Sequence, residues 1–149
     1  MTIAVDFDGT IVEHRYPAIG EERPFAIDTL KMLIKDHHRL ILWTVRTGKL
    51  LDEAVEWCRQ RGVEFYATNR DFPEEVPEKN PHYSRKLNSI DYFIDDRNIG
   101  GLPDWGTIYR MISRRKTWYD IMDEELRSIN MVSYEEMQGK KKKPWWKIG

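Results

Sequence analysis

The sequence predicts an α/β fold of three layers, a central parallel sheet with helices on both faces. Three observations carry that prediction. Short apolar runs at residues 2–6, 40–44, 63–66 and 90–94 alternate with amphipathic stretches at 24–34 and 49–61. The runs are apolar almost without interruption, as strands buried on both faces are. Polar residues follow three of the runs directly, at the strand ends where open α/β sheets bind their ligands.

The elements follow in order. Residues 2–6 read as a short buried strand, and residues 7–24, with Gly, two Pro and many charges, as a long loop. Pro24 suits the opening of a helix whose stripe is Ala26, Ile27, Leu30, Leu33 and Ile34. Leu40 to Thr44 is a second strand. A second helix covers about 49–61, with Leu51, Ala54, Val55 and Cys58 inward and Gly62 as its stop. Val63 to Tyr66 reads as a third strand, and residues 67–85, with Pro73, Pro77 and Pro81, as a loop. Ile90 to Ile94 is the fourth strand, ending in Asp95-Asp96. A helix follows from about Asp104, and another with Trp118, Ile121, Met122, Leu126 and Ile129 on one face.

Bulk properties bound the function. A chain of 149 residues suffices for one domain with a full core. We expect that domain over 1–138 and a basic, Trp-containing tail over 139–149. The net charge of -1 gives no bulk signal for nucleic acid or for acidic partners. The single cysteine, Cys58, allows no intrachain disulfide and reads as helix packing. No signal peptide is visible and no run approaches the roughly 18 apolar residues of a membrane span, so a cytoplasmic location is expected.

The chemistry concentrates in Asp6-Phe7-Asp8-Gly9-Thr10. Alternation along an extended chain puts Asp6 and Asp8 on one side. Crowded acids repel and raise at least one pKa, which suits a divalent cation or a pair of carboxyls with different protonation states. If the fold prediction holds, Asp6 and Asp8 meet Thr44 and Arg46, from after the second strand, and Asp95, Asp96 and Arg97, from after the fourth.

This set resembles the haloacid dehalogenase-like superfamily of phosphotransferases, over most of residues 2–101. An apolar strand and D-x-D-G-T match at Asp6 to Thr10. An apolar strand ending in Thr matches at Leu40 to Thr44, a Lys before the fourth strand at Lys86, and a strand ending in paired Asp at Tyr92 to Asp96. The resemblance implies a Rossmann-like three-layer fold and a Mg2+-dependent phosphatase that works through an aspartyl-phosphate. Asp6 is then the nucleophile. Asp8, beginning protonated near neutral pH, gives a proton to the leaving oxygen and then activates water. The metal is implied to sit on Asp6, Asp95, Asp96 and the backbone carbonyl of Asp8. Thr44 and Lys86 are implied to bind the phosphoryl group, with Arg85 as a substitute for Lys86. A cation has a physical reason to be there: it removes the repulsion between a carboxylate nucleophile and a dianionic ester, and Mg2+ accepts few carboxylates plus water.

The remaining candidates are less specific. Arg46 could grip a second anionic group of the substrate bidentately, or be a surface residue. Arg97 could contact substrate or simply neutralise the acids. His14, Arg15 and Tyr16 lie in the first loop, where relatives carry a mobile flap. Gly100-Gly101 reads as a turn, since no G-x-G-x-x-G opens a helix there.

Many members of this superfamily insert a cap domain, but the 7–24 and 67–85 loops are too short for one, so the chain reads as having no large cap domain. An open site suits a large phosphorylated substrate. Equally, the 67–85 loop or a neighbouring subunit of a homo-oligomer could cover a small phosphorylated metabolite. A phosphotransferase, or a phosphate-binding scaffold without turnover, is the alternative function. In the tail, Lys140 to Lys143, Trp145, Trp146 and Lys147 make nucleic-acid or membrane contact a further alternative, against the simpler reading of a solubilising or docking terminus.

Overall fold

The computed structural model describes residues 1–76, 87 and 89–139, so Lys86, Arg85 and the Lys/Trp tail lie outside the described residues. The fold is α/β in three layers around a parallel sheet. The element order is β1 (Thr2–Val5), α1 (Ala26–Lys35), β2 (Arg39–Leu42), α2 (Gly48–Gln60), β3 (Ala67–Thr68), β4 (Tyr92–Ile94), α3 (Trp105–Arg114) and α4 (Trp118–Gly139). The sheet order is β3-β2-β1-β4. All three pairings are parallel, with Val5 opposite both Leu42 and Ile94. Ile3, Ala4 and Val5 are all buried although successive side chains point to opposite faces, so both faces of the sheet are covered.

The parallel register positions the site. β1 lies between β2 and β4, so the chain leaving Val5 emerges between the chains leaving Leu42 and Ile94. Asp6, Trp43 and Asp95 therefore follow their strands side by side. The backbone pairing continues one step further, through Asp6 N–H to the Ile94 carbonyl (2.9 Å) and Trp43 N–H to the Val5 carbonyl (2.8 Å).

Two elements differ from the sequence prediction. Val63 to Tyr66 is not a strand. Gly62, at φ +84°, closes α2: its N–H bonds the Arg59 carbonyl and the Val63 N–H bonds the Cys58 carbonyl, both at 3.0 Å. This is the Schellman arrangement, with Val63 and Cys58 buried as its apolar pair. Val63 is thereby spent on ending the helix, and pairing with β2 begins only near Ala67. The first loop also has structure. Glu13 N–H bonds the Glu21 carbonyl and Arg23 N–H bonds the Ile11 carbonyl, each at 2.8 Å, so residues 11–13 run antiparallel to 21–23 below a tip of residues 14–20.

α1 begins at Ala26, two residues after the Pro24 expected to open it, with Phe25 at φ +64° ahead of it. On α1, Ala26, Ile27, Leu30 and Leu33 are buried and Ile34 is partly so. Glu22 receives the Ile27 N–H at 3.2 Å near its first turn. Asp104 receives the Thr107 N–H at 2.9 Å, an N-cap for α3. The chain divides into two compact units, Met1–Tyr109 and Arg110–Gly149, whereas the sequence placed a boundary after residue 138. In the second unit, Thr117 and Asp120 cap α4 reciprocally. Of the expected stripe on α4, Ile121 is buried, while Trp118, Met122, Leu126 and Ile129 are exposed. No helix among the described residues is long and apolar enough to cross a membrane.

Candidate functional site

Asp6 stands where the parallel register concentrates polar ends. One carboxylate oxygen each from Asp6, Asp95 and Asp96 lies within 4.8 Å of the other two. Three acids this close repel one another and are satisfied by a cation or by hydrogen-bond donors. Burial pushes the Asp6 carboxyl from its ordinary 3.8 up to about 6, helped by the charges of Asp95 and Asp96 and opposed by hydrogen bonds from the Thr10 hydroxyl and the Phe7 backbone. The crowding expected between Asp6 and Asp8 thus falls between Asp6 and the Asp95-Asp96 pair.

Thr10 is the tie between the two halves of this cluster. Its buried hydroxyl accepts the Asp96 N–H (3.0 Å) and faces Asp6 Oδ2 (3.0 Å), to which it donates. Its carbonyl accepts the Trp105 indole N–H at 3.2 Å. The loop bends back at Phe7, whose carbonyl accepts the N–H groups of Thr10, Ile11 and Val12. Gly9 makes that bend possible. It sits at φ +91°, and a Cβ there would lie 2.8 Å from Asp96 Cγ. Gly9→Ala should therefore cost about 2 kcal/mol or more of stability and displace Asp96. Urea unfolding of the variant checks this, and an unchanged midpoint would refute it.

Asp8 is turned away from the acid cluster. It is buried and receives Arg46 Nε on Oδ2 (2.6 Å) and Arg46 Nη2 on Oδ1 (2.7 Å). Arg46 is itself 0% exposed. Its remaining contacts are Nη1 to the Pro17 carbonyl (3.1 Å) and Nη2 to the Ala18 carbonyl (2.9 Å), with the guanidinium 5.2 Å from the Phe7 ring and 5.3 Å from the Tyr16 ring. The hydrogen bond to Asp8 raises the Arg46 pKa above its already high value.

These contacts correct two expectations. Arg46 is not an arm reaching for a second anionic group of a substrate, because its donors go to Asp8 and to the first loop. Asp8 does not sit among the other acids, because both its oxygens accept from the Arg46 guanidinium. The sequence held both residues but no sign that they pair across 38 positions.

Thr44 lies near Asp6 as expected. A cleft of about 210 Å³ is lined by Asp6, Trp43, Thr44, Val45, Asp95 and Arg97. The turn after β2 is held by Thr44 N–H donating to Asn69 Oδ1 (2.8 Å) and by Arg46 N–H donating to Thr44 Oγ1 (3.2 Å). Asn69, at φ +51°, was not singled out by sequence, and nothing in its neighbourhood of the chain marks it. Arg97 lines the cleft, and its N–H donates to Asp95 Oδ1 at 2.9 Å. Gly101 N–H bonds the Asn98 carbonyl at 2.8 Å, the turn expected at Gly100-Gly101. His14 and Arg15 are exposed, and Arg15 pairs with Glu13 at 3.6 Å. Cys58 is buried, and burial pushes its thiol up to about 12, as befits packing.

The fold and site define a parallel α/β domain with a carboxylate cluster at the carboxyl ends of its central strands. A solved structure of a conserved protein from Bacteroides thetaiotaomicron is similar to this chain, with a TM-score of 0.75 and 67% sequence identity over 81% of this chain and 96% of that one. The chain belongs to the family of that protein. No family model and no curated protein matches it.

Proposed function

We propose that the protein is a Mg2+-dependent phosphomonoesterase of the haloacid dehalogenase-like superfamily, with Asp6 as nucleophile. The observation that carries this reading is the convergence of Asp6, Asp95 and Asp96 on one point beside a cleft that Thr44 also lines. All three donors are hard oxygen ligands, a set that suits Mg2+ better than a softer metal. Asp6, Asp95 and Asp96 would hold the cation, which supplies charge neutralisation between a carboxylate and a phosphate dianion.

An Asp6 oxygen attacks phosphorus and the bond from phosphorus to the leaving oxygen breaks; that oxygen takes a proton that Asp8 first accepts from solvent on an oxygen released by Arg46. Water then attacks the phosphorus of the Asp6 acyl phosphate, breaking its bond to the Asp6 oxygen, and gives a proton to Asp8. Inorganic phosphate leaves and the Asp6 carboxylate is restored. Thr10 holds one Asp6 oxygen and thereby orients the other. Thr44 and Lys86 take the phosphoryl oxygens in this scheme.

Calorimetric or fluorescence melts in a Mg2+ series test the cation part separately from turnover. Mg2+ should raise the unfolding midpoint of the wild type, by about 2.7 kcal/mol of stabilisation at a hundredfold excess over Kd. Asp95→Asn should lose most of that rise. Equal rises in both proteins would contradict the assignment.

A further inference from the structure

We propose that Arg46 is a positioning residue that latches the tip of the first loop to the Asp8 carboxylate, so that the proton carrier and the loop move as one. The inference rests on the phosphomonoesterase reading for the role of Asp8, and on geometry alone for the latch.

The geometry is a chain of contacts centred on one buried guanidinium. On one side, two hydrogen bonds from Nε and Nη2 grip both Asp8 oxygens, the bidentate pattern that orients a carboxylate. On the other, the Pro17 and Ala18 carbonyls accept the outer N–H groups, and the half-exposed Tyr16 ring lies against the guanidinium. The base of the loop is closed by the backbone pairing of 11–13 with 21–23. Arg46 thus bonds the tip of the loop and Asp8 at the same time.

The grip fixes which way the Asp8 carboxylate faces, and a substrate that displaces the tip displaces Arg46 and Asp8 with it. Lysine at position 46 keeps the charge but not the fork, so it separates positioning from mere neutralisation.

Two measurements test the proposal. In hydrogen exchange read by peptide mass, the segment spanning 13–22 should exchange at least tenfold faster in Arg46→Lys and in Asp8→Asn than in the wild type, with β2 unchanged. Unchanged exchange in that segment in both variants overturns the latch. In kinetics, Arg46→Lys should lower kcat tenfold or more further for an alkyl phosphate than for p-nitrophenyl phosphate, because only the alkoxide needs a proton to leave. An equal loss for both substrates overturns positioning through Asp8. A wild type that releases no phosphate from either ester, with or without Mg2+, removes the phosphomonoesterase reading and the proton role with it, while the exchange result still decides the latch.

Discussion

Asp6→Asn is expected to lower phosphate release from an aryl phosphate by a factor on the order of a thousand or more, and at the same time to stabilise the metal-free protein. Both effects come from the same carboxylate. As nucleophile it forms the bond that the proposed reaction requires, and an amide cannot replace it. As a buried acid beside Asp95 and Asp96 it carries a cost. Burial raises its pKa from 3.8 in the unfolded chain to about 6 in the fold. The cost is therefore absent below about pH 3.8, grows as pH rises toward 6, and is complete above it. At about 1.4 kcal/mol per pH unit, reduced because Asp6 is partly exposed, it amounts to something on the order of 2 kcal/mol at pH 7.5. Melts of the two metal-free proteins should thus coincide near pH 3.5 and diverge in favour of Asp6→Asn above pH 6. An Asp6→Asn protein that is less stable at pH 7.5 would contradict the burial argument.

Arg46→Met should have the largest effect on stability of any single change at the site. It leaves the Asp8 carboxylate buried without its cation, which typically costs about 3–5 kcal/mol. It also releases the carbonyls of Pro17 and Ala18. For a unit the size of residues 1–109, the midpoint of thermal unfolding should fall by more than about 10 °C. The double variant Asp8→Leu with Arg46→Met should recover a large part of the loss, because it removes both charges together. A double variant no more stable than Arg46→Met would mean that the loop contacts, and not the ion pair, hold this region.

Much of this arrangement was legible in the sequence because it is local. The strand ends at Asp6, Thr44 and Asp95 were marked by abrupt changes from apolar to polar, and a parallel sheet brings such ends together whatever its exact register. The acids that meet, Asp6 with Asp95 and Asp96, were readable from those ends. The third strand was misplaced because Val63 to Tyr66 is apolar enough to pair, yet Val63 first serves to cap α2. Periodicity does not distinguish an apolar helix stop from the start of a strand. The pairing of Asp8 with Arg46 was also invisible. It depends on the bend at Phe7 and Gly9 and on the fold-back of Pro17 and Ala18, and each of those is a tertiary event. Once the bend is known, the requirement for glycine at position 9 follows from the Asp96 carboxylate packed against it.

The proposed reaction places the phosphoryl group on Asp6 during turnover. It is tested most directly by quenching the protein with acid during turnover of an aryl phosphate in Mg2+ and mapping the phosphorylated peptide by mass. The predicted result is one phosphoryl group on the N-terminal peptide at Asp6, labile to hydroxylamine, dependent on Mg2+ and missing from Asp6→Asn. A phosphoryl group on another residue, or turnover undiminished in Asp6→Asn, would contradict it.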